Sequence, residues 1–405
     1  MKGLRWASLA LIAVLQIGHV QAQQADITQE QIVAAAQSGQ ADAQYALGLV
    51  YHEGQGVLQD YAEAAHWFER AADKGHAAAQ NHLARYRYEG LGGPKDANAA
   101  LSLFEKAAES GDPQFVYDLA LVSETDPNTL PRAVELYTQA AEAGHAGASV
   151  SLGVLYQDGK GVIQDFARAR ALYEGPANAG HARALNNLGL LYVRGNGVPQ
   201  DYARAAEYFA KASEQGLPIA MTNLGVLYEN GFGVPLDEAK AAALYRQGGG
   251  QSEVDVGGAQ QQAPTLIYDD RLLPPDKSKV GLESLADKAE AGDPVALFQM
   301  GWLIGNGPDR PFDNNFEAAG LFRDAAELGH GPAMFNLGVM YFQALGLPQD
   351  YVLGHMWLLL AADVDVEGAQ NANAYFATRL TSEQINDAQE RARMWRIERK
   401  KNYSR

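Results

Sequence analysis

The chain contains no cysteine. That excludes a disulfide framework, a thiolate metal site, a cysteine nucleophile and a cysteine-linked lipid anchor. Positive charge is also short: 32 Lys+Arg stand against 49 Asp+Glu, a formal net charge of −17. Phosphate recognition needs clustered Lys and Arg, so the balance argues against a nucleic-acid partner. Long apolar runs are scarce as well. The one candidate, Trp6 to Ile17, is broken only by Ser8 and Gln16, but it falls short of the roughly 20 residues that cross about 30 Å of hydrocarbon. What remains is 47% hydrophobic and 20% charged, enough to bury a core and too apolar for widespread disorder.

The short apolar run has the grammar of an export signal. Lys2 and Arg5 precede it, and Val20-Gln21-Ala22 places small residues before Gln23. Residues 1–22 are therefore expected to be a cleaved signal peptide. A retained anchor helix is the alternative, and its length argues against it. After cleavage no integral membrane span is expected. The expected location is outside the cytoplasm, periplasmic in the first reading and extracellular in the second.

Glycines recur at Gly39, Gly75, Gly111, Gly144, Gly180 and Gly216, and again at Gly292 and Gly329, 33 to 37 residues apart. Four places after most of them stands alanine, eight places after usually leucine, then Gly or Ala, and in the twelfth place often tyrosine, as in Leu188-Gly189 and Tyr192. Such spacing is one stripe of a helix. A glycine turn follows, for example Gly195-Asn196-Gly197-Val198, and then an aspartate: Asp60, Asp165, Asp201, Asp350. Those aspartates are expected to cap a second helix; Asp60 with Glu63, Thr28 with Gln31 and Thr381 with Gln384 have capping-box spacing, and Ile27/Ile32 and Leu380/Ile385 that of hydrophobic staples. A helix pair of this size cannot bury its apolar face alone, so the units must stack.

The runs Leu152 to Asp165, Leu188 to Asp201 and Leu224 to Asp237 resemble the Sel1-like repeat, a relative of the tetratricopeptide repeat. The resemblance covers about residues 26–247 and 280–400, with departures at Thr125–Pro131 and Gly305–Asn315. It implies an all-α, right-handed superhelical solenoid of about eight units with terminal capping helices. The expected division is 1–22 signal, 23–247 six units with an N-terminal cap, 248–279 insert, and 280–405 two units with a basic C-terminal cap.

Gly248-Gly249-Gly250 is expected to stop the second helix of unit six, and a Gly/Gln-rich stretch runs on to Gln262. The insert reads either as a flexible linker or as a segment whose Leu266–Tyr268 docks on the solenoid or on a partner. The C-terminal Arg391, Arg393, Arg396, Arg399, Lys400, Lys401 and Arg405 complement a helix dipole; the alternative is peripheral contact with an anionic envelope surface or acidic partner.

No catalytic or metal set emerges, and no cofactor is expected. The Gly-x-Gly turns lack the strand–loop–helix setting of a phosphate loop, and His52-Glu53 meets Gly56 where a zinc-protease motif needs histidine. His76, His145, His181 and His330 each follow a unit-boundary glycine, which marks a repeat column rather than one metal centre. A hydrolase of the β-lactamase-like kind is disfavoured, since the Sel1-like proteins that resemble such enzymes are cysteine-paired. The resemblance implies a non-catalytic scaffold or adaptor for protein or peptide partners; the alternative is a secreted protein that binds a host or envelope component. It also implies that first helices line the binding groove. On that basis the candidate contacts are Tyr45, His52, Asn81, Arg85, Tyr88, Arg183, Asn186 and Arg194, a polar set, and Phe298, Trp302, Phe335, Val339 and Phe342, an apolar set.

Overall fold

The computed structural model describes residues 28–250, 263–306 and 314–403. The proposed signal peptide, Ile27, Arg405, the Gly/Gln-rich stretch and most of the unusual turn of unit seven lie outside them. The described residues form twenty helices and no strand. A cap helix α1 (Gln29–Gln37) precedes the repeats. Six helix pairs follow: α2 (Ala41–Glu53) with α3 (Tyr61–Ala72), α4 (Ala77–Glu89) with α5 (Ala97–Ala108), α6 (Pro113–Ser123) with α7 (Leu130–Glu142), α8 (Ala146–Asp158) with α9 (Phe166–Asn178), α10 (Ala182–Arg194) with α11 (Tyr202–Glu214), and α12 (Pro218–Asn230) with α13 (Glu238–Gly250). After the insert come α14 (Lys279–Glu290), then α15 (Pro294–Gly305) with α16 (Asn314–Glu327), α17 (Gly331–Gln343) with α18 (Tyr351–Asp363), and finally α19 (Ala369–Ala377) and α20 (Ser382–Tyr403). The glycine triplet does not stop α13 at once; the helix runs through to Gly250.

The repeat is held by the residue types its sequence places at each joint. Five first helices, α2, α4, α8, α10 and α12, end on left-handed glycines, with φ of 71° at Gly54 and 69° at Gly195, a conformation that side-chain-bearing residues adopt at a cost. In the last repeat the same joint is Ala344, at φ 55°. Glutamine then folds the turn back: Gln59 donates to the His52 carbonyl, Gln164 to Gln157, Gln200 to Val193 and Gln349 to Phe342, at 2.8–2.9 Å. The aspartate that follows caps the second helix, as expected, with Asp165 accepting from Arg168 N and Asp201 from Arg204 N. Asp60 caps through Ala62 N and Glu63 N. The Thr28–Gln31 and Thr381–Gln384 boxes close in both directions.

At Gly48, Gly153, Gly189 and Gly225 the small residue after the leucine receives an aromatic ring, and at Gly338 it receives Leu358. A Cβ on Gly189 would lie 2.6 Å from Phe209, and one on Gly225 2.7 Å from Tyr245. These glycines are close-approach points between the two helices of a pair. The histidine column is also structural: His76, His145, His181 and His330 are N-caps of α4, α8, α10 and α17, each accepting at Nδ1 from a backbone N–H three residues on, at 3.0–3.4 Å. That role requires a neutral ring, and burial lowers the pKa of all four.

The described residues fall into two compact units. One comprises 98–250, the other 28–97 together with 263–403. Within the second unit, chain ends meet. On α20, Gln389 Oε1 accepts from Tyr61 N at 2.8 Å, and Asn386 accepts from Gly92 N and donates to Gly90 O, both at 2.8 Å. Leu58 is buried in the same cluster as Phe322, Trp357 and Phe376.

Candidate peptide-binding face

Each repeat's first helix carries one residue at place seven, counted from the boundary glycine. In the last two repeats these are Gln299 on α15 and Asn336 on α17. Across both lies a helix-free strip of the chain itself, residues 263–273, which turns at Asp269, whose carbonyl accepts from Leu272 N at 3.0 Å. Asn336, fully buried, clamps its backbone: Ile267 N donates to Asn336 Oδ1 and Asn336 Nδ2 donates to Ile267 O, both at 2.8 Å. Gln343 Nε2 donates to Pro264 O at 2.8 Å. Gln299 Nε2 donates to the Tyr268 hydroxyl at 2.9 Å and to Leu273 O at 3.0 Å. The Tyr268 ring sits between Phe298 and Trp302, with centroids 5.6 and 5.4 Å away. Asp269 is buried; Arg271 grips it in a two-pronged pair and holds its carboxyl below the usual range. His330 Nε2 lies 3.5 Å from the same carboxylate. Burial pushes the His330 ring down to about 4 despite that neighbour, so the neutral ring accepts at Nδ1 and turns its N–H toward Asp269.

Of the two readings of Leu266–Tyr268, docking on the solenoid is the one observed. It corrects the apolar half of the expected groove. Phe298, Phe335, Val339 and Phe342 are 0–3% exposed and closed to an outside partner in this arrangement. Phe298 lies under Tyr268 and against Phe322, and Phe342 stacks on Phe376 at 4.1 Å. Only Trp302 of that set stays half-exposed. The hydrogen-bonding residues, Gln299 and Asn336, were not among the expected contacts. Their signal was in the sequence: place seven is polar in nearly every unit, at His82, Asp118, Ser151, Asn187 and Asn223, inside an otherwise apolar stripe.

The polar set divides. In the first two repeats, Tyr45 stacks on His76 at 4.6 Å and His52 Nδ1 lies 2.8 Å from the Tyr86 hydroxyl. Burial there lifts the Tyr45 hydroxyl to about 12 and drops His82 to about 3, the Arg85 charge adding to the latter. Arg85 and Tyr88 are half-buried. Asn81 is buried, which corrects its placement on an open face. In the unit 98–250, Arg183 and Arg194 are exposed, whereas Asn186 is buried and accepts from Asn223 Nδ2 at 2.9 Å, a second correction. The same face of α12 exposes Ile219 and Val226.

The arginines of α20 are engaged within the chain. Arg391 pairs with Asp387, Arg393 with Glu390 and Arg396 with Asp363, and Arg399 donates to Leu328 O. Among the described residues no group of three His, Cys, Asp or Glu could hold a metal ion, and no helix is long and apolar enough to cross a membrane.

Comparison with known proteins agrees with this architecture. No curated protein matches the chain. Among solved structures, it resembles a protective antigen of uropathogenic Escherichia coli displaying an SLR fold, at 24% identity and a TM-score of 0.51, over 91% of this chain and 94% of that one. It also resembles a Sel1 repeat protein from Oxalobacter formigenes, at 25% identity and a TM-score of 0.50, over 58% of this chain and 90% of the other. The Sel1 repeat itself matches eight times, at 41–76, 77–112, 124–145, 147–181, 182–217, 218–250, 294–330 and 331–365. Proteins built from it generally mediate protein–protein interaction. With eight copies spread from residue 41 to residue 365 and paired helices at each, the chain belongs to the Sel1 repeat family.

Proposed function

We propose that this is an exported, non-catalytic binding protein that holds extended segments of partner proteins on the face built by its first helices. One observation carries the reading: where that face is occupied, at α15 and α17, the occupant is a helix-free strip fixed through its backbone by side-chain amides. Side-chain amides that satisfy the backbone of a chain without secondary structure are a means of peptide capture, because such a chain brings unpaired N–H and C=O groups with it. The 98–250 unit carries the same place-seven amides, Asn187 and Asn223, beside exposed Ile219, Val226 and Arg183. Export rests on the signal-like residues 1–22, and periplasmic residence is the preferred location.

The test is a photo-crosslinking amino acid placed at 183 or 226, and at the turn residue 163 as control, in the cell that makes the protein. Adducts from 183 and 226 without adducts from 163 are expected. Adducts from 163 alone refute the reading. Recovery of the protein from the osmotic-shock fraction, rather than the medium or the cytoplasm, checks the location.

A further inference from the structure

Residues 264–273 do more than illustrate the face. We infer that they are a resident occupant of a peptide groove on α15 and α17, displaced by a partner segment of the same chemistry: extended, with an aliphatic residue, then tyrosine, then an acid. The inference rests on the reading just proposed and specifies the partner class for this part of the face.

Four observations point this way. The strip forms no helix; groove side chains bond its backbone at Pro264, Ile267 and Leu273, while a turn at Asp269–Leu272 is bonded within the strip. Its own burial is slight. Asp269 is its one buried residue; Leu266, Ile267, Tyr268 and Leu272 are only half-buried and Leu273 is exposed. The groove floor has packing of its own, with Phe298 on Phe322 and Phe342 on Phe376 and Tyr351. Finally, the buried Asn336 amide directs both donor and acceptor at the Ile267 backbone. An emptied groove leaves that amide without either bond, which favours another extended backbone over an apolar surface of any other shape.

The specificity elements follow from the same geometry. The Asn336 clamp sets the register. The Phe298–Trp302 slot with the Gln299 amide takes a tyrosine, ring and hydroxyl together. The His330 N–H marks where the acid falls. A tethered occupant competes with any free segment, so the natural chain should show only the affinity left by its emptied fraction.

The test uses a fluorescein-labelled peptide of residues 263–273 and the full-length chain carrying Leu266→Ser, Ile267→Gly, Tyr268→Ser and Asp269→Ser. Fluorescence anisotropy should show binding at least about tenfold tighter to the substituted chain than to the natural one. Adding Asn336→Ala to the substituted chain should weaken binding by about tenfold. If the substituted chain keeps its helical signal but binds no tighter than the natural one, the strip is not a resident occupant. If binding is tight but indifferent to Asn336→Ala, the peptide sits elsewhere; that overturns this inference and leaves the broader peptide-binding reading intact. If the substituted chain loses its helical signal, the strip is part of the core and the inference fails. Hydrogen exchange on the natural protein gives an independent reading. The amides of 266–269 should exchange at least about tenfold faster than those of α17, and equal protection refutes the inference.

Discussion

Gly338→Ala isolates the helix contact on which every repeat depends. Gly338 on α17 faces α18, and an added Cβ would lie 2.7 Å from Leu358 Cγ and 3.0 Å from the Gly354 carbonyl oxygen. The relation is reciprocal, since a Cβ on Gly354 would lie 3.1 Å from the Gly338 carbonyl oxygen. One obstacle is thus backbone, which cannot rotate away, and the other is Leu358, which is fully buried. Two terms oppose each other. Alanine gains about 1 kcal/mol over glycine in a helix interior. Overpacking a tight core costs about 1–3 kcal/mol, and here two neighbours must give way, which places the cost near the top of that range. The net expectation is a loss of about 1–2 kcal/mol, or a midpoint lower by roughly 2–8 °C in a unit of this size. Gly320→Ala on α16, in the same compact unit, is the matched control, because no atom lies within 4 Å of its added Cβ. It should gain about 0.5–1 kcal/mol. Thermal and urea unfolding followed by circular dichroism would separate the two. If Gly338→Ala stabilises as much as Gly320→Ala, the helices are not in close contact there and the packing argument for all the Leu-Gly pairs fails.

Ala344→Gly should stabilise the chain by about 1 kcal/mol, since Ala344 holds a left-handed conformation that five other repeats give to glycine; an unchanged urea midpoint would contradict this. Acid should destabilise the protein through its histidines. Burial lowers His330 and His355 to about 4, so their neutral forms contribute stability that is fully present above about pH 6.5 and is lost as pH falls from there through about 4, by roughly a few kcal/mol. Urea midpoints at pH 7.5, 5.5 and 4.5 should fall in that order. His355→Leu should flatten the dependence, because both ring nitrogens of His355 are buried without a hydrogen-bond partner among the described residues; a slope as steep as the parent's would exclude His355 as a source. Asp201→Ala should cost about 1 kcal/mol by removing the cap on α11, read as a lower unfolding midpoint.

The repeats were legible because each joint uses a residue that few others can replace: glycine at the left-handed turn, aspartate at the cap, a small residue under the ring at Gly189. Periodicity then separated these positions from chance. The candidate site was legible only in part. Taking fixed places on the first helices, as the family resemblance implied, chose Phe335 and Val339, which the structure buries. It passed over Asn336 and Gln299, whose meaning depends on a helix-free segment that meets Asn336 at a residue 69 positions away. Docking of the insert could be framed as one of two readings because Leu266-Ile267-Tyr268 interrupts a polar stretch, yet nothing in its local sequence says which surface receives it. The attachment of α20 to Tyr61 and to the turn at Gly90–Gly92 was not foreseen at all. Its hydrogen bonds, from Gln389 and Asn386, occur once in the chain and so leave no periodic trace.

That attachment also imposes a schedule on the making of the molecule. Gly92 and Asn386 are 294 residues apart. At about 5–20 residues per second, a ribosome needs roughly a quarter of a minute to a minute to deliver the second after the first. For that interval the turn at Gly90–Gly92 and the amide of Tyr61 wait on water or on a chaperone. The oldest repeats of each newly made chain are thus the last to be finished, and a transcript cut short before α20 yields not a shorter array of complete repeats but one whose first two repeats remain open.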